Sequence, residues 1–115
     1  MKILVCGGRE YHDRLHIGSV LSQYSDPDNI IITGGAPGAD AIALEWAEAK
    51  SLATCTFPAQ WDRYPNRKAA GPMRNQRMLD EGKPDLVVAF PGGAGTADMV
   101  RRAKAAGVPV VEVVP

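Results

Sequence analysis

The sequence predicts an α/β fold in three layers, with about five parallel strands and helices on both faces of the sheet. Short apolar runs rich in β-formers alternate along the chain with longer stretches of helical spacing, as in sheets whose strands are joined by helical crossovers. Three of the apolar runs end in a pair of glycines, which allow a tight turn. Because the carboxyl ends of parallel strands meet at one edge of the sheet, we expect the three glycine turns to converge there.

Five apolar runs are predicted to be strands. The first two, residues 2–6 and 29–33, contain little alternation of apolar and polar residues, which indicates strands covered on both faces. The other three predicted strands are residues 53–57, 85–90 and 108–114.

Four helices are predicted between the strands. Asp13 is a candidate cap of the first helix, and the second begins near Asp40. Pro72 suits the first turn of the third helix, predicted over residues 73–81, because the first N–H groups of a helix have no partner within it. The fourth helix follows the third glycine pair. Together these elements predict a single Rossmann-like, nucleotide-binding domain over residues 1–115.

The composition limits the partners and the compartment. Among 115 residues, 13 are basic and 13 are acidic, so the formal net charge is zero, which argues against nucleic acid as a partner. Cys6 and Cys55 lie in apolar runs and are expected to be buried, reduced thiols. No apolar run reaches the length of a membrane span or of a signal-peptide core, so we expect a cytoplasmic protein with no membrane partner.

The third glycine turn carries the clearest functional signal. Gly92, Gly93 and Gly95 follow a predicted strand, and Thr96 adds a hydroxyl where the next helix begins. Exposed N–H groups and the positive end of the helix dipole make such a turn a phosphate site; the alternative is a tight turn with a capping threonine and no ligand. No lysine-bearing P-loop and no GxGxxG dinucleotide fingerprint is present. ATP hydrolysis and ordinary hydride transfer are therefore disfavoured.

The other two glycine turns add further candidate ligand groups. Their candidate binding residues are Gly7, Gly8, Arg9, Gly34, Gly35, Gly38 and Asp40. Arg9 can hold an anion. Asp40 either caps the second helix or accepts a hydrogen bond from a ribose hydroxyl.

The third and fourth helices carry charged candidates. The helix dipole disfavours a cation near a helix N-terminus, so Arg74 is most readily explained if it holds an anion; Arg77 shares its face, and its role stays open. Asp98 either interacts favourably with the dipole or serves as an acid–base or ribose-binding carboxylate.

A long loop and two histidines complete the candidates. Trp61 and Tyr64 can stack on a base or fix the loop to the core. His12 and His16 have no evident third ligand, so neither a metal nor a cofactor is predicted.

These motifs resemble the SLOG superfamily, and most closely its small YspA-like, YpsA-related branch. The resemblance spans nearly the whole chain in order. The matching segments are Gly7-Gly8-Arg9, residues 34–40, Trp46-Ala47, residues 58–61, residues 70–75 and residues 89–96.

The resemblance implies a nucleotide-derived ligand over the carboxyl edge of the sheet. The superfamily includes the LOG phosphoribohydrolases, which release base and ribose 5-phosphate from a nucleoside 5′-monophosphate and carry the motif PGGxGTxxE and a helical arginine. Residues 91–96 match the first six motif positions and Arg74 matches the arginine, whereas Met99 occupies the glutamate position and Asp98 is the carboxylate nearest to it. Asn75 is added to the binding candidates because Arg74-Asn75 resembles a pair in the DNA-binding Smf/DprA proteins.

Two functions follow from this resemblance. The first is a sensor or sequestering module for a nucleoside monophosphate or an ADP-ribose- or NAD-related ligand. The second is a LOG-like N-glycosidase with Arg74 and Asp98 as candidate catalytic residues; binding of single-stranded DNA ranks below both. Met99 favours the binding module. A homodimer is a further expectation, because LOG proteins pair.

Overall fold

The described residues form a sheet of five parallel strands. The computed structural model describes residues 1–59 and 67–115, with residues 67 and 68 described by their backbone alone. The strands follow the order β3-β2-β1-β4-β5 across the sheet, which is a Rossmann-like order and confirms the predicted fold class. The strand bounds are β1 Lys2–Cys6, β2 Ile30–Thr33, β3 Ala53–Thr56, β4 Leu86–Ala89 and β5 Val110–Glu112.

Helices cover both faces of the sheet, as predicted. Their bounds are α1 Arg14–Leu21, α2 Ala39–Ala49, α3 Arg67–Gly82 and α4 Ala94–Ala105, with a 3₁₀ turn over Ser22–Tyr24. Within the described ranges, no helix combines the length and the apolar character needed to cross a membrane.

Alternate residues of the central strands feed two separate cores. Ile3 and Val5 of β1 pack in the core that includes α1 and α2, whereas Leu4 and Cys6 pack in the core that includes α3 and α4. Successive strand residues point to opposite faces, so a strand covered on both sides needs apolar residues at every position. This explains the continuous apolar run of β1.

The third helix begins earlier than the sequence predicted. It starts at Arg67, so Pro72 lies inside α3 and not in its first turn. A proline inside a helix lacks one N–H donor, and the residue before it is Gly71, which has no Cβ to collide with the proline ring. The prediction from Pro72 was therefore wrong by about one and a half turns.

The prediction that both cysteines are buried is wrong for one of them. Cys6 is buried, whereas Cys55 is exposed. Cys55 belongs to β3, whose four residues are all exposed. This strand lies at the edge of the described sheet, next to β2, so the apolar character of its sequence did not indicate burial.

The strand order places three loops side by side at the carboxyl edge. From β1, the chain continues to β2 on one side, while β4 pairs with β1 on the other. A crevice opens where successive connections diverge in this way, and ligands of open α/β sheets bind there. The loops after β1, β2 and β4, which carry the three glycine pairs, meet at this point.

The close contact between two of these loops gives a stability prediction. Gly38 has φ of +80°, and a Cβ added there would collide with the carbonyl oxygens of Gly8 and Arg9. We expect Gly38→Ala to lower the free energy of unfolding by about 2 kcal/mol or more, measured by urea denaturation. Gly18→Ala in α1 is the control, because its added Cβ would lie 4.0 Å from Trp46; a comparable loss in both variants would contradict the close packing.

Candidate functional site

Backbone hydrogen bonds join the three glycine turns. The N–H of Gly8 donates to the carbonyl oxygen of Pro91 at 2.8 Å, and the N–H of Ala39 donates to the carbonyl oxygen of Gly8 at 3.2 Å. A Cβ on Gly7 would lie 2.6 Å from the Cβ of Ala39 and 2.9 Å from that of Phe90. The glycine after β1 therefore lets the loops approach closely enough to bond.

A cavity of about 400 Å³ opens beside this junction. This volume lies in the range of small-molecule sites. It is bounded by the loop after β1, by the starts of α2 and α4, and by one face of α3. The residues that line it are Cys6, Gly7, Gly8, Arg9, Glu10, Ala36, Asp40, Gly71, Arg74, Asn75, Met78, Gly93, Ala94, Gly95 and Thr96.

Most of the predicted binding residues lie in the wall of this one cavity. Those that line it are Gly7, Gly8, Arg9, Asp40, Arg74, Asn75, Gly93, Gly95 and Thr96. The structure does not place Gly34, Gly35, Gly38 or Gly92 in its lining. Trp61 and Tyr64 lie outside the described residues.

Backbone conformation and close packing explain why the four positions outside the lining are glycines. Gly35 and Gly38 have positive φ values of +71° and +80°. A Cβ on Gly34 would collide with the guanidinium of Arg74, and one on Gly92 would collide with the side chain of Thr96. These glycines allow the loop conformations and the close packing around the cavity without lining it.

Gly93 and Gly95 differ from these four glycines. Both line the cavity, and a Cβ built on either residue would have no neighbour within 4 Å other than nearby backbone of the same turn. Gly93 is the N-cap of α4 and provides no side-chain cap, so the N–H groups of the first helical turn lack that partner. Open space and uncapped N–H groups are the conditions under which a helix N-terminus binds an anion.

Arg74 projects into the cavity from the middle of α3. Its Nη1 donates to the carbonyl oxygen of Gly34 at 2.9 Å, and its Nε donates to Oδ1 of Asn75 at 3.1 Å. Burial lowers the pKa of the Arg74 guanidinium, and the nearby positive charge of Arg9 lowers it further. The charges of Asp40 and Cys6 act in the opposite direction and raise it. Since α3 begins at Arg67, the predicted position of Arg74 near a helix N-terminus was wrong.

Asp40 is a buried carboxyl group in the same wall. Only 5% of the residue is exposed, and its Oδ2 accepts a hydrogen bond from the N–H of Ala36 at 3.2 Å. Burial raises the pKa of Asp40 to about 6, against hydrogen bonds from the β2–α2 loop and the charge of Arg74. The N-cap of α2 is Gly38, so the interpretation of Asp40 as the helix cap is wrong.

Sequence reasoning missed several lining residues. They are Cys6, Glu10, Ala36, Gly71, Met78 and Ala94. Cys6 was predicted to be a core residue only. Its burial, reinforced by Asp40 and opposed by Arg74, raises the pKa of the thiol to about 12, which favours the neutral thiol in the cavity wall. Met78 lies one helical turn after Arg74, and this spacing could have identified it.

Asp98 lies outside the cavity lining and bonds to neighbouring side chains. Its carboxylate accepts hydrogen bonds from Asn75 at 3.0 Å, Arg101 at 3.1 Å and Arg102 at 2.9 Å. Burial acts to raise the pKa of Asp98, but the bonds from Asn75 and Arg102 outweigh it and hold the pKa below its ordinary value. Met99 is 1% exposed and packs in the core beneath α4.

Arg77 takes no part in the cavity lining. Its Nε donates to Oε2 of Glu81 at 3.0 Å, and its guanidinium lies 5.6 Å from the ring centre of Phe57. Arg74 and Arg77 therefore face different surroundings, although they are three residues apart on the same helix.

Comparison with known proteins identifies the family. A model of the YspA, cpYpsA-related SLOG family (YAcAr) matches residues 1–64. The chain belongs to this family. The Gene 61 protein of Mycobacterium phage D29 is 33% identical over 96% of this chain and 94% of that protein. The resemblance deduced from the motifs is thus confirmed, and this SLOG chain has a relative of nearly its own length.

Solved structures share the fold of this SLOG chain. The structure of TM1055 superposes with a TM-score of 0.70 at 19% identity and covers 95% of this chain and 71% of that one. DprA from Streptococcus pneumoniae superposes with a TM-score of 0.54 at 17% identity and covers 96% of this chain and 58% of that one. At such identities the likeness concerns the fold alone.

The buried carboxyl group of Asp40 gives a pH prediction. A pKa raised from 3.8 to about 6 means that the folded state holds this proton to higher pH than the unfolded state. The contribution of Asp40 to stability therefore falls as the pH rises from about 4 to 6, by up to about 3 kcal/mol.

Asp40→Asn removes this titration and keeps one oxygen that can accept from Ala36. We expect the free energy of unfolding of the variant, minus that of the wild type, to increase between pH 4 and pH 7 in urea denaturation. Taking the difference cancels the titration of the other carboxyl groups. A difference that stays constant over this range would contradict the buried position of Asp40.

Proposed function

We propose that this SLOG chain binds a nucleotide-derived ligand, such as a nucleoside monophosphate or an ADP-ribose- or NAD-related molecule, as a sensor or sequestering module. The observation that carries the proposal is the meeting of three groups in one cavity. The uncapped start of α4, the guanidinium of Arg74 and the carboxyl group of Asp40 all line it.

Each group suits one part of a nucleotide. The N–H groups at the start of α4 can receive a phosphate, and Arg74 and Arg9 can neutralise its charge. The oxygens of Asp40 can accept hydrogen bonds from ribose hydroxyls. The cavity volume of about 400 Å³ exceeds what a phosphate alone requires, which supports a ligand that carries a sugar and a base.

The LOG-like N-glycosidase is the second candidate, because residues 91–96 and Arg74 match its motifs. Its expected carboxylate is the weak point. Met99 is buried in the core, and Asp98 is bonded to Asn75, Arg101 and Arg102. These contacts favour binding over hydrolysis, and the fold shared with DprA adds no argument for DNA.

Calorimetric titration with AMP, ribose 5-phosphate and adenosine tests the proposal. We expect the two phosphorylated compounds to bind more tightly than adenosine, and Arg74→Gln to weaken AMP binding by about tenfold or more. Arg77→Gln is the matched control on the same helix, because Arg77 bonds to Glu81 away from the cavity. No binding by any of the three compounds, or an equal loss in both variants, would contradict the proposal.

Chromatography of the same mixtures separates binding from hydrolysis. If AMP is recovered intact after prolonged incubation, binding is the function. Release of adenine with ribose 5-phosphate would establish the hydrolase instead.

The open space at Gly95 gives a further prediction. Gly95→Ala introduces a methyl group at the start of α4, where no described atom outside the helix's own nearby backbone lies within 4 Å of it. We expect its melting temperature to stay equal to that of the wild type or to rise, because alanine favours helices over glycine, while the affinity for AMP falls. Gly18→Ala is the control for the helical effect alone; an unchanged affinity in Gly95→Ala would place the phosphate elsewhere.

A further inference from the structure

Asp98 takes part in a chain of hydrogen bonds that neither proposed function explains. Its Oδ2 accepts from Nδ2 of Asn75 at 3.0 Å. The other end of the same amide, Oδ1, accepts from Nε of Arg74 at 3.1 Å. A chain of hydrogen bonds thus runs from α4, through Asn75, to the guanidinium at the cavity.

We propose that Asp98 and Asn75 are positioning residues that hold Arg74 in its binding orientation. This inference rests on the proposed function insofar as Arg74 binds the ligand. It differs from the hydrolase hypothesis in that Asp98 touches no ligand and acts through another side chain.

The donor and acceptor pattern of Asn75 supports this role. Its Nδ2 donates to Asp98 and also to the carbonyl oxygen of Gly95 at 3.2 Å. With both acceptors on the amino end, the amide oxygen is turned towards Arg74. Asn75 is 4% exposed, and a buried amide with every group bonded has one favoured orientation.

The oxygen of Asp98 that accepts from Asn75 also accepts from Arg102. Nε of Arg102 donates to Oδ2 at 2.9 Å, and Nη1 of Arg102 donates to Oε1 of Gln76 at 2.8 Å. Since Gln76 follows Asn75 on α3, the two helices are joined at adjacent residues. The hydrogen bonds of Asp98 and Arg102 therefore join α4 to α3 and also orient the amide of Asn75 that holds Arg74.

The first test needs no ligand. In a ¹H–¹⁵N spectrum, the Nε–H signal of Arg74, identified by its loss in Arg74→Lys, is expected to exchange slowly with water. Asn75→Ala and Asp98→Ala are both expected to speed this exchange, although Asp98 does not contact Arg74. Arg101→Gln is the control, because Arg101 bonds to the other oxygen of Asp98; unchanged exchange in Asp98→Ala would overturn the proposal.

The second test compares single substitutions of the two partners. Asn75→Asp places an oxygen against Asp98 and is expected to weaken AMP binding by about tenfold or more, whereas Asp98→Asn can turn its amide to keep an acceptor and is expected to cost about threefold or less.

The outcomes separate the two proposals. If Asp98 were a ligand or catalytic carboxylate, Asp98→Asn would weaken AMP binding or abolish turnover at least as strongly as Asn75→Asp. If AMP, ribose 5-phosphate and adenosine all fail to bind the wild type, the proposed function fails, while the exchange of the Arg74 signal still decides the positioning role.

Discussion

The site depends on the backbone junction at Gly8. This one residue donates its N–H to Pro91 and accepts from Ala39 through its carbonyl oxygen, so it joins the loops that follow β4 and β2 to its own. Pro91 leads into α4, and Ala39 is the first residue of α2. The starts of two helices are therefore fixed relative to each other by two hydrogen bonds to the backbone of one residue. Both helix starts line the same cavity.

Two oppositely charged groups in the cavity, Arg74 and Asp40, partly offset the cost of burying each other. Arg74 and Asp40 lie in the same wall, and each moderates the cost of burying the other: the pKa of Asp40 would rise further without Arg74, and that of Arg74 would fall further without Asp40. A buried charge without partners is costly. An entering anion would find Arg74 already held by Gly34 and Asn75, so little side-chain freedom remains to be lost on binding.

The sequence sufficed for the fold and for most of the cavity wall, because both follow from local patterns. Apolar runs and glycine pairs mark strands and turns, and parallel strands bring their turns to one edge. What it could not supply was the phase and extent of helices. Pro72 indicated a helix start that lies at Arg67, so Arg74 was selected for a dipole argument that does not apply. It lines the cavity because of the face of α3 on which it lies.

The prediction that Cys55 of β3 is buried was wrong for a related reason. Cys55 lies in an apolar run, yet the position of a strand within a sheet is decided by pairing across the whole chain, and β3 lies at the edge. Local apolar character indicates a strand but does not say how many of its faces are covered.

At the start of α4, a shift of one residue along the helix changes the surroundings of a side chain. Residues 98 and 99 are neighbours in sequence but differ by about 100° around the helix axis. Met99 consequently packs against the sheet, while Asp98 meets Asn75 of α3. A carboxylate displaced by one position from the motif glutamate thus lies on another face of the helix, with other partners, and in our proposal it does not replace that glutamate. On this face the carboxylate accepts hydrogen bonds from two arginines and an amide. In our proposal it acts on the cavity indirectly, by orienting Arg74 through Asn75.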